Sequence, residues 1–186
     1  FYARVFSVAW LGGEGSGAMT NEILWQGYDA VWPTAGPEQL GGPFRTIPAF
    51  GVPFINTLIL LTSGVTVTLA HHALKKDHRG QLIAWLIATV LLGFVFVFFQ
   101  VEEYMVAYQQ LGLTLGSGIY GSTFFMLTGF HGMHVTIGAI MLTTIFFRVI
   151  KGHFTPEKHF AFEAVAWYWH FVDVVWIGLY VFVYWM

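Results

Sequence analysis

Two long apolar stretches of this sequence, 119–147 and 161–185, contain ionisable side chains, which are the residues best able to do chemistry. Those residues are His131, His134, Glu163, His170 and Asp173. An ionisable group inside a lipid bilayer costs roughly 2.5–3.5 kcal/mol on insertion scales unless it is paired. Three kinds of chemistry can justify that cost: histidines on facing helices can ligate haem, a chain of titratable groups can relay protons, and polar side chains can bond one helix to another.

The spacing in the second stretch places most of its polar groups on one helical face. Glu163, Trp167, His170 and Val174 follow a 4-3-4 pattern, and Asp173 lies one turn from His170. Residues three and four apart are neighbours on an α-helix. We therefore expect Glu163, His131, His134, His170 and Asp173 to form a polar network within the membrane.

Within this network, His134 and Asp173 are predicted to touch. Counted from the adjoining ends of the two stretches, Phe147 and Ala161, both residues lie about 18–20 Å deep at 1.5 Å per residue. A short connection makes the two helices antiparallel neighbours.

Three interpretations of the network remain open from spacing alone. Haem ligation would recruit two of the histidines, whereas a proton relay from Glu163 through Asp173 to Glu103 would have wide gaps. The third interpretation is interhelical bonding, helped by the small residues Gly129, Gly132 and Gly138, which permit close helix approach.

Further polar residues lie outside the apolar stretches. His71 and His72 are poor joint metal ligands, because adjacent helical residues point about 100° apart. With His78 they are predicted instead to form a proton-collecting surface, since histidine titrates near neutral pH. A candidate phospholipid-headgroup site consists of Arg148, Lys151, His153, Thr155 and His159. A plain topology signal explains those cations almost as well.

The composition indicates an integral membrane protein. The 186 residues are 56% hydrophobic and 10% charged, against a charged share of about 25% in soluble domains. A net charge of −2 argues against nucleic-acid binding, and the lack of cysteine excludes thiolate metal sites and cysteine nucleophiles. Four stretches, at about 48–70, 82–101, 119–147 and 161–185, are long enough to span a bilayer as helices. The predicted fold is therefore an all-α, polytopic transmembrane bundle.

Residues 1–186 are predicted to form a single membrane domain. Residues 1–10 resemble the end of a fifth helix, and the opening on Phe1 indicates a chain that is incomplete at its N-terminus. Residues 11–47 are predicted to be an external loop. Six of the eight Lys and Arg residues lie in the connections 71–81 and 148–160, which the positive-inside rule places in the cytoplasm. The C-terminus is then expected on the periplasmic side.

Several motifs resemble subunit III of the haem-copper cytochrome c oxidases. They are FHGMHVTIG at 130–138, WYWHFVDVVW at 167–176, INTLILLTSGVTVTLAHHAL at 55–74, IYGSTFF at 119–125 and FAFEA at 160–164. Their order and spacing fit that family over residues 48–186. The Gly-rich region before residue 48 looks more like bacterial members.

The resemblance implies a non-catalytic subunit that corresponds to helices III–VII of a seven-helix chain. In that family, haem a, haem a3, CuA and CuB belong to subunits I and II, so no cofactor, metal or catalytic residue is expected here. The expected partners are those subunits, membrane phospholipids and, through the complex, cytochrome c.

The sequence is thus expected to belong to an aa3-type, proton-pumping oxidase of a bacterial inner membrane, equivalent to respiratory complex IV. The chain's own part would be to stabilise the complex, hold phospholipids and support proton uptake. One alternative is subunit III of a haem-copper quinol oxidase, a relative that lacks the first two helices. Another is a free-standing haem-binding or transport membrane protein.

Overall fold

The computed structural model describes residues 23, 32–36 and 43–185. Within these ranges the regular structure is entirely helical. The four α-helices are α1 (Val52–Lys75), α2 (Arg79–Gln110), α3 (Gly118–Ile150) and α4 (Phe160–Leu179), and a π-helical segment, Tyr180–Trp185, continues α4. The predicted all-α class is confirmed.

All four helices are long and apolar enough to cross a membrane, as the sequence predicts. Three helices end beyond the predicted spans, most of all α2, which continues to Gln110 rather than ending near residue 101, whereas α1 begins at Val52 rather than at residue 48. The predicted span ended at residue 101 because Glu102 and Glu103 follow it directly. Glu103 is in fact buried, so a charge in the sequence did not mark the end of the helix.

Hydroxyl side chains in α1 are satisfied by the helix itself. The hydroxyls of Thr57, Thr62 and Thr68 each donate to the carbonyl oxygen four residues earlier, at 2.7–2.9 Å. Such bonds give the hydroxyl a partner without water, which is unavailable in a hydrocarbon core. The Thr-rich sequence of α1 is therefore compatible with a membrane span.

The chain divides into two compact units, residues 1–47 with 104–129, and residues 48–103 with 130–186. The predicted single domain stays a prediction. The expected helix end at 1–10 lies outside the described residues, and the expected external loop at 11–47 is described only at 23, 32–36 and 43–47.

In the first unit, the segments before α1 cover the start of α3. The backbone amides of Ile119 and Tyr120 donate to the carbonyls of Ala35 and Thr34, at 3.2 and 3.1 Å. The first amides of a helix have no partner within the helix, so these bonds satisfy groups that water would otherwise have to solvate. The ring of Tyr120 also stacks on Phe44, with 5.5 Å between centroids.

In the second unit, the core is organised around Trp169 of α4. Its indole N–H donates to the hydroxyl of Ser63 on α1 at 2.9 Å. Its ring lies so close to α2 and α3 that a β-carbon on Gly93 or on Gly138 would be 2.8 Å from a ring atom. One fully buried side chain thus contacts the other three helices, and two of those contacts require glycine.

Trp176, two turns further along α4, forms a second layer of the same core. Its indole N–H donates to the hydroxyl of Thr57 at 3.0 Å. Its ring packs edge-to-face on Phe96, with 4.8 Å between centroids. Large aromatic side chains with a satisfied polar atom therefore join α1 to α4 at two levels.

We predict that Gly138→Ala destabilises the protein by about 1–3 kcal/mol, because the added methyl overlaps the rigid indole of Trp169. Gly132→Ala is the matched control on the same helix, since nothing lies within 4 Å of its added β-carbon. Thermal unfolding in mild detergent measures both. Equal melting temperatures for the two variants would contradict the packing described for Trp169.

Candidate functional site

His131 is a buried part of the aromatic core. Its Nε2 lies 3.2 Å from the carbonyl oxygen of Val172, and because a carbonyl can only accept, Nε2 carries the proton. Its ring lies against Trp176 and Phe96, with centroids 4.9 and 5.7 Å apart. These contacts enclose the ring and favour a packing role over haem ligation.

The expected contact between His134 and Asp173 is wrong. Nδ1 of His134 bonds the carbonyl oxygen of Phe130 on its own helix at 2.7 Å. Asp173 lies on the face of α4 that packs against α1, where a β-carbon on Gly64 would overlap its carboxylate. The prediction considered only depth, whereas the rotation of α4 about its axis turns Asp173 toward Gly64 on α1.

Asp173 and His170 instead form a polar cluster at the junction of α1 and α4. Nδ1 of His170 lies 3.6 Å from Oδ2 of Asp173, and Nε2 of the same ring lies 3.2 Å from the hydroxyl of Thr68. We call Thr68, His170 and Asp173 the mid-membrane cluster. It opens into a groove of about 390 Å³ whose other walls are apolar residues such as Leu61 and Val174.

Glu103 is a buried polar residue that the sequence interpretation did not include in the network. Its Oε1 accepts a hydrogen bond of 2.5 Å from the hydroxyl of Tyr184, and the residue is only 3% exposed. The pair joins α2 to the π-helical segment. Because the two residues are 81 positions apart, no local pattern could reveal the contact.

The predicted headgroup-binding residues lie where α3 ends and in the connection that follows it. The guanidinium carbon of Arg148 lies 4.9 Å from the ring centroid of Phe154, which holds this cation against the surface. Lys151, His153 and Thr155 are exposed, whereas His159 is half-buried. We call the adjoining regions 71–81 and 148–160 the basic end of the second unit.

His159 belongs to a cluster that the sequence interpretation divided among three separate predictions. One potential ligand atom from each of His71, His159 and Glu163 lies within 4.8 Å of the other two. The sequence predicted His71 for proton collection, His159 for lipid binding and Glu163 for the membrane network. The structure brings them together because the end of α1 lies beside the start of α4.

The other two predicted proton-collecting residues lie on the surface. His72 and His78 are exposed, and Nδ1 of His72 lies 2.9 Å from the carbonyl oxygen of Thr68. The three intramembrane histidines have different partners: Val172 for His131, Phe130 for His134 and Thr68 for His170. His131 and His170 each reach a neighbouring helix, which favours interhelical bonding, whereas His134 bonds its own helix.

Comparison with known proteins shows that most of this chain matches one protein family. Residues 24–186 match the family model described as "Cytochrome c oxidase subunit III". Similar proteins include cytochrome c oxidase subunit 3 of Oncorhynchus mykiss, at 52% identity over 83% of this chain and 55% of the relative. The corresponding protein of Gadus morhua is 51% identical over the same shares, and that of Lemur catta is 49% identical over 83% and 52%.

The chain spans about half the length of the curated relatives it matches. These relatives come from animals, so the expected bacterial source stays a prediction. The match covers all four helices, including the mid-membrane cluster and the basic end. The chain belongs to the cytochrome c oxidase subunit III family.

Proposed function

We propose that this chain acts as a non-catalytic subunit of a proton-pumping cytochrome c oxidase, in which it stabilises the complex, holds phospholipids and supports proton uptake by subunit I. The haems and coppers, haem a, haem a3, CuA and CuB, are then held by subunits I and II. The proposed location is a bacterial inner membrane, with the basic end in the cytoplasm and the C-terminus in the periplasm.

The proposal is supported by the family match, together with the hydrogen bonds and packing of the three histidines in α3 and α4. Each of the three has a hydrogen-bond partner in its own chain. His131 is also enclosed by aromatic rings. This arrangement supports a structural role for the chain, with electron transfer assigned to its partners.

The mid-membrane cluster supports the idea that another protein subunit packs on the face formed by α1 and α4, which we call the α1–α4 face. Asp173 lies 13 residues into α4, or about 20 Å from its start, and His170 is 43% exposed in its side chain. Ionisable residues at such depth almost always face protein or a water-filled cavity rather than lipid. A catalytic oxidase subunit packed on this face would provide that environment.

Oxygen uptake by the intact complex tests the proposal. Material isolated through a C-terminal tag in mild detergent should consume oxygen with reduced cytochrome c, and cyanide should stop the reaction. Uptake with a quinol alone would move the chain to the quinol-oxidase branch. Isolated material that contains no partner subunit and consumes no oxygen with either donor would overturn the proposal.

The same assay tests the proposed proton-collecting surface. Replacing His71, His72 and His78 with Gln removes three imidazole side chains that can bind and release a proton. Turnover should fall at pH 8, where free protons are scarce, and fall less at pH 6. An unchanged rate at both pH values would remove this part of the proposal.

We also propose that the end of α3 and the loop after it bind a phospholipid headgroup. Arg148 is the central residue, because contact with Phe154 positions its guanidinium and an arginine can bond a phosphate through two N–H groups. Lys151, His153, Thr155 and His159 supply further donors around it. Each Lys or Arg near the membrane surface stabilises the binding of anionic lipid by about 1 kcal/mol.

Arg148→Gln should reduce the phospholipid that remains with the purified complex by about one molecule, measured by mass spectrometry. Lys76→Gln, which removes an exposed cation from the other loop of the basic end, is the matched control and should retain the lipid. Equal lipid content in the two variants would contradict a site at Arg148.

A further inference from the structure

We propose that the end of α1 and the start of α4 together form a binding site for a divalent transition-metal ion such as Zn²⁺, with His71, His159 and Glu163 as the protein ligands. This inference rests on the geometry of the three side chains and does not depend on the function proposed above. It also differs from the sequence-based expectation, which considered His71 only with its neighbour His72.

The three side chains come from elements that hold them at fixed positions. His71 lies in the last two turns of α1, His159 directly precedes α4, and Glu163 lies in the first turn of α4. The backbone amide of Glu163 donates to the carbonyl oxygen of His159 at 3.1 Å, which fixes the relation between these two ligands. The site is therefore built on the packed ends of two helices.

The distances suit a metal after a small adjustment. One ligand atom from each residue lies within 4.8 Å of the others. Ligands at 2.0–2.1 Å from a tetrahedral zinc ion are about 3.4 Å apart. The remaining gap of about 1.4 Å is within the range of side-chain rotation.

Two of the nitrogen atoms in the cluster lack other partners. Nε2 of His71 and Nδ1 of His159 are buried and make no hydrogen bond among the described residues. The two rings are 5.4 Å apart between centroids, and Phe162 lies 5.6 Å from the ring of His71 as an apolar wall. Burying a polar atom without a partner is costly, and a shared metal ion would satisfy both nitrogens at once.

The donor set selects the kind of metal. Two imidazoles and one carboxylate are the ligands of zinc sites that keep a fourth position open for water. Magnesium and calcium prefer sites made of oxygen ligands. Lys75 lies close enough to His71 to interact with it and opposes a bound cation, so we expect Lys75→Gln to tighten binding.

Zinc binding to the protein purified in mild detergent, with the subunits that it retains, tests the proposal. Equilibrium dialysis against Zn²⁺, followed by metal analysis, should give one more zinc per copy of this chain in the wild type than in His159→Gln or Glu163→Gln. Loss of one ligand should weaken binding at this site by at least about tenfold. Cobalt(II) should give the visible absorption of a tetrahedral ion in the wild type, and the variants should lose that band.

His72→Gln is the matched control, because it removes the neighbouring histidine, which is exposed and outside the cluster. It should bind zinc as tightly as the wild type. Equal zinc content and equal cobalt spectra in the wild type and in His159→Gln would overturn the proposal. Equal losses in His72→Gln and His159→Gln would also overturn it, since they would show diffuse binding to surface histidines.

Discussion

The indole ring of Trp169 has to fit between α2 and α3 at positions where neither helix can carry a β-carbon. Gly93 and Gly138 provide that space, and Ser63 on α1 accepts the indole N–H. In a bilayer, helices gain little from excluding lipid, so close packing and interhelical hydrogen bonds must hold them together. A single large side chain that touches three neighbouring helices supplies both kinds of interaction in the second unit.

The position of α4 then determines where the other polar groups lie. With Trp169 and Trp176 bonded to α1, Asp173 between them must face Gly64, and His170 reaches Thr68. The same packing brings the start of α4 against the end of α1, where His159 and Glu163 meet His71. The mid-membrane cluster and the cluster of His71, His159 and Glu163 are thus two consequences of one helix contact.

The sequence was sufficient to predict the fold class and the four spans, because long apolar runs in a membrane permit only helices. It also contains the motifs by which the family could be identified. It could not predict which residues on different helices meet, since that depends on how each helix is rotated about its axis. Asp173 shows the consequence: its depth was inferred, but its position against Gly64 on α1 was not.

Residues far apart in the chain were the hardest to connect. Glu103 and Tyr184 form a buried pair, and His71 lies beside His159, although no periodicity relates either pair. The buried position of Glu103 was missed because a carboxylate after an apolar run usually marks the membrane surface.

We propose that a partner subunit covers the face formed by α1 and α4, and site-specific cross-linking reports on that contact. The sequence has no cysteine, so Val174→Cys places one thiol on this face, at a position that is 67% exposed in the isolated chain. A photoreactive maleimide on that thiol should cross-link to a catalytic oxidase subunit in the membrane. Leu91→Cys on α2, 59% exposed in the isolated chain, should give lipid adducts only. Lipid adducts alone from both positions would contradict the claim.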